Sequence, residues 1–84
     1  MPDLAPRILF RPLLTSGMIG KGDAGNLYIL IDSEQSEAEQ CIAVWHETLH
    51  LLGLRDEDQI EAMAQRLTQA CPEILPAVKA IAYG

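Results

Sequence analysis

The chain's two histidines, His46 and His50, both fall in the run HETLH at residues 46–50. Two histidines four apart on a helix project from one face, one turn apart, and can reach a single metal ion. The surrounding pattern predicts such a helix over 36–53. Ser36 followed by Glu39 has the form of a capping box, Ser33 offers an earlier cap, and Gly53 is placed to stop the helix. At 100° per residue Ala38, Cys41, Ile42, Trp45, Leu49 and Leu52 form an apolar stripe. Val44 and Leu51 form a second patch, whose simplest use is burial beneath strands. His46 and His50 then lie on the shoulder of the stripe, in a gap between two covering layers.

The rest of the chain supplies those layers. RILFRPLL (7–14) and LYILID (27–32) read as strands, with Pro12 pushing the first towards a sheet edge. TSGMIGKGDAGN (15–26) holds four glycines and reads as a mobile loop. Asp56 is placed to cap a second helix, with acidic residues in its first turn as the helix dipole prefers. That helix should run to about Ala70, and a short third helix should follow over 73–83, bent or delayed by Pro76. Strands followed by helices predict an α+β fold. Its sheet is of two or a few strands, followed by the histidine-bearing helix, an antiparallel second helix and a short C-terminal one. With 84 residues the chain makes a single domain, 1–84, and a core of this size would gain from a bound metal.

The residue types suit hydrolysis. Zinc accepts histidine nitrogens, and Glu47, next to the first histidine, is placed to act as general base on a water whose pKa the metal lowers. Two acids compete to be the third ligand. If the two helices form a hairpin turning near 54–55, the level facing the histidines is near residue 61. Glu61 also lies on the shoulder of the inward stripe Ile60, Met63, Ala64 and Leu67. Asp56 is the alternative, though it mirrors Gly53 and suits a cap better. Glu57 sits a turn low and reads as a supporting group, and Asp58 points away.

With these residues the chain resembles the zincin metallopeptidases, most closely the small gluzincin-type proteins of phages and mobile elements. The phrase DQIEAMAQRL is similar to their second helix, which makes Glu61 the metal-binding glutamate by resemblance. Zincins also carry an edge strand beside the active helix, to which substrate pairs in extended form. By resemblance that strand is 27–32, with Tyr28, Ile29 and Leu30 contacting substrate. HxxGxxD spacing, metzincin-like, would instead use Asp56. HETLHLLGLRD is also similar to the signature of metal-dependent endoribonucleases that mature ribosomal RNA, with Asp56 where a histidine belongs and Glu47 in place of glycine. For an oxyanion stabiliser the chain offers Arg55, Tyr28 and Tyr83, none at a motif spacing.

Composition narrows the function classes. Twelve acids against six bases give a net charge of −6, which disfavours nucleic acid as partner. No apolar run approaches the length of a membrane span, and MPDLAPRILFRPLL lacks the form of a signal peptide, so a cytoplasmic protein is expected. Cys41 and Cys71, without CxxC spacing, are expected to be buried thiols. Two readings result. One is a minimal zinc peptidase acting on a peptide or protein. The other is a non-cleaving zincin-fold module in which zinc joins two helices and the partner is a protein.

Overall fold

A computed structural model describes residues 7–21 and 27–83. Three strands, β1 (Arg7–Arg11), β2 (Gly17–Lys21) and β3 (Leu27–Asp32), precede three helices, α1 (Glu37–Leu51), α2 (Glu57–Ala70) and α3 (Ile74–Tyr83). The fold is α+β, as expected. The sheet order is β1-β3-β2, with β1 parallel and β2 antiparallel to β3.

Two expectations change. Part of the glycine-rich segment is a strand: β2 holds Gly17 and Gly20, and its Met18 and Ile19 pair with Leu30 and Ile29. Glycine disfavours strands, but here an apolar partner strand outweighs local preference. Residues 22–26 of that segment lie outside the described residues, as do residues 1–6 of the N-terminal run. The strand before α1 is also not an edge. β3 is paired on both sides, so the backbone of Tyr28, Ile29 and Leu30 cannot take up a further strand. Among the described residues the sheet's two edges are β1 and β2.

Strand alternation gives the sheet one apolar face. Ile8 and Phe10, Ile29 and Ile31, and Ile19 pack with Cys41, Ala43 and Val44 of α1 and Leu75 and Val78 of α3. The Val44–Leu51 patch is accordingly consumed beneath the strands. The opposite side of α1 meets α2, where Leu49, Ile60 and Ala64 are buried among Ile42, Leu54, Met63 and Leu67. Trp45 touches both clusters. The ends of the expected stripe are not used: Ala38 and Leu52 are exposed, because α1 has only just begun at the first and has ended at the second.

Local signals set the helix ends. Ser36 Oγ accepts from the Glu39 amide, and Asp56 caps α2. At the close of α1 the Gly53 amide donates to the His50 carbonyl and the Leu54 amide to the Leu49 carbonyl, a Schellman pair. Gly53 has φ of 102°. Pro76 falls in the first turn of α3, where its missing N–H costs nothing. Among the described residues no helix is long and apolar enough to cross a membrane.

A Cβ at Gly53 would meet nothing within 4 Å, so substitution there tests backbone conformation alone. Gly53→Ala should destabilise the fold by about 1–2 kcal/mol, read as a lower urea midpoint at unchanged slope.

Candidate metal centre

The crossing of α1 and α2 brings the polar shoulder of one helix against that of the other. His46 Nε2 lies 3.1 Å from Glu57 Oε2, and His50 Nε2 lies 2.8 Å from Glu57 Oε1. Glu57 thus spans both rings, whose centroids are 5.1 Å apart. Glu61 Oε2 meets the other nitrogen of His46, Nδ1, at 3.1 Å, and Gln65 Nε2 donates to Glu61 Oε1 at 3.4 Å. The histidine side chains are 22% and 27% exposed, half-buried as their place beside the apolar stripe implies.

His46, His50 and Glu57 each offer a ligand atom, all within 4.8 Å of one another, and the group could hold a metal ion. Two of the three donor separations approach the spacing that a shared ion requires. Donors bonded to zinc at about 2.0–2.2 Å in tetrahedral array stand about 3.3 Å apart. The two Glu57–histidine separations are already close to that value. The donor chemistry, imidazole with carboxylate, suits zinc and several other transition metals.

The two histidines come together as expected, while the acids exchange places. Glu57, expected to support, lies between the rings; Glu61, expected to ligate, touches only the far side of His46. The hairpin estimate carried a helical rise through the turn. Residues 54–56 are not helical, and such residues advance up to about 3.3 Å each rather than 1.5 Å. Glu57 therefore reaches the histidines' level a turn early. Asp56 is committed elsewhere: its Oδ1 accepts from the Asp58 and Gln59 amides at 3.1 and 3.3 Å. The ligand sets that require Asp56, metzincin-like and ribonuclease-like, are not assembled.

Glu47 faces a different neighbour. With His46 and Glu61 it lines a pocket of about 210 Å³ that also includes Ser16, Gly17, Glu39, Ile42 and Ala43. The pocket lies between α1, α2 and the start of β2. A Cβ at Gly17 would be crowded, 3.3 Å from Ile31 Cδ1 and the Leu30 carbonyl and 3.4 Å from Glu47 Cγ. The Asp32 amide and the Gln35 side chain both donate to the Ser16 carbonyl, at 3.0 and 2.9 Å, and hold this corner against β3 and α1. Since Ser16 faces β3, alternation turns the N–H and C=O of Gly17 and Ile19 to the free edge. The sequence reading missed this edge because it took residues 15–26 as loop; the Met18–Ile19 pair was its only signal.

Of the oxyanion candidates, neither Arg55 nor Tyr28 lines the pocket. Arg55 is exposed in the turn, and Tyr28 alternates with Ile29 onto the sheet face away from the helices. The side chain of Tyr83 lies outside the described residues. Cys41 and Cys71 are free thiols, the first buried and the second half-buried. No family description, curated protein or solved structure matches this chain.

Asp56→Ala separates capping from ligation. It should cost about 1 kcal/mol of stability by urea titration. Zinc uptake, followed by competition with a chromophoric chelator, should be unchanged.

Proposed function

We propose that the chain is a minimal zinc-dependent peptidase of zincin type, with His46, His50 and Glu57 holding the metal and Glu47 acting as general base. The observation that carries this reading is the convergence of two half-buried imidazoles on one carboxylate, beside a pocket that Glu47 lines. Bound there, zinc would acidify a water molecule and polarise the scissile carbonyl. Glu47 would take that water's proton and deliver it to the leaving amine. Glu39 and Glu61 add negative charge to the pocket wall, which favours a cation and repels phosphate.

The substrate strand moves from β3 to β2. Gly17 lines the pocket, and the outward backbone groups of Gly17 and Ile19 can pair with an extended peptide once it displaces the exposed Thr15 hydroxyl that donates to the Gly17 carbonyl at 3.2 Å. This supports a peptide over a compact small molecule, and the acidic wall again argues against nucleic acid.

The second reading, a zinc-clamped module that does not cleave, has its own support. Among the described residues no Tyr, Arg or Lys lines the pocket. In addition, α2 packs chiefly on α1, so a metal joining Glu57 to the histidines would fasten that helix.

Zinc content and cleavage of an unfolded protein substrate, measured together, divide the two. Wild type should hold one zinc and cleave. Glu47→Gln should keep its zinc and lose about 10²–10⁴-fold in rate. His46→Ala and Glu57→Gln should lose the metal. Full zinc occupancy with no cleavage by wild type on any unfolded substrate would leave the clamp reading.

A further inference from the structure

We infer that Glu61 is a positioning residue for His46, holding its Nδ1–H so that Nε2 faces the metal. The inference rests on the reading of His46, His50 and Glu57 as the ligand set. A neutral imidazole can give one nitrogen to an ion, and the other then carries the proton. For His46 the two sides are distinguished by their neighbours. Nε2 faces Glu57, whose second oxygen reaches His50, so the metal side is Nε2. Nδ1 is left with a proton and needs an acceptor, and Glu61 Oε2 stands 3.1 Å away.

Glu61 is itself held. Glu57, Glu61 and Gln65 succeed one another at intervals of four along one face of α2, and Gln65 donates to Glu61 Oε1 at 3.4 Å. The chain Gln65–Glu61–His46 sets the ring's rotation and its tautomer. His50 has no equivalent support: among the described residues its one polar side-chain contact is Glu57. The two histidines are therefore unequal, one oriented from behind and one not. Because Glu61 is 48% exposed, its effect belongs at the lower end of the range for such groups.

The test uses the full chain loaded with zinc, with Glu61→Leu, Glu61→Gln and Glu57→Gln. The readouts are zinc affinity by chelator competition and the imidazole resonances of His46 by nitrogen-15 NMR. Glu61→Leu should still bind one zinc, about tenfold more weakly. Wild type should show a slowly exchanging Nδ1–H on His46, and Glu61→Leu should lose it. Glu61→Gln keeps an acceptor oxygen and should retain the Nδ1–H signal and recover most of the affinity. Unchanged affinity and an unchanged Nδ1–H in Glu61→Leu would overturn the inference while leaving the metal site standing. Loss of zinc in Glu61→Leu with retention in Glu57→Gln would overturn it by making Glu61 the ligand. A wild type that takes up no zinc would defeat the metal reading beneath it.

Discussion

The burial of α1 on two sides governs the rest of the structure. One side is covered by the sheet and α3 through Cys41, Ala43 and Val44, the other by α2 through Leu49, Ile60 and Ala64. Neither partner could be stable without it: the sheet has three short strands, and α2 packs chiefly on α1. A helix gripped this way has two narrow polar strips left between its contacts. His46 and His50 occupy one of them, and α2 must cross beside it to bury Ile60 and Ala64. The meeting of histidines and glutamates is thus a consequence of apolar packing.

What meets there is electrically lopsided. Glu57 and Glu61 contact the histidines, while Glu47 and Glu39 line the pocket beside them. Four carboxylates, three of them on exposed residues, gather negative charge beside the half-buried imidazoles, and a divalent cation would offset it. The same charge excess is spread over the whole chain, at −6. Negative charge of this kind favours a cation over a phosphate.

Much of this was legible in the residues. The caps Ser36 and Asp56, the stop at Gly53 and the inward face Ile60–Met63–Ala64–Leu67 are local signals, and each stands where the pattern placed it. Long-range features were less legible. The β2 strand depends on pairing with β3, which two glycines in five residues disguise. The central place of β3 follows from that same pairing, so the edge that borders the pocket was assigned to the wrong strand. Glu57 was displaced in the reading by one turn, because the advance of residues 54–56 depends on a turn geometry that capping signals do not specify. The histidine pair needed none of this, since its spacing is set within a single helix.

The central claim is that α1 and α2 share one ion through His46, His50 and Glu57. The most direct measurement is the zinc K-edge X-ray absorption spectrum of the loaded protein. The account predicts two imidazole nitrogens and carboxylate oxygen at about 2.0–2.2 Å, and no specifically bound zinc in Glu57→Gln. Sulfur scattering at about 2.3 Å, or a spectrum with a single imidazole, would place the metal elsewhere and contradict it.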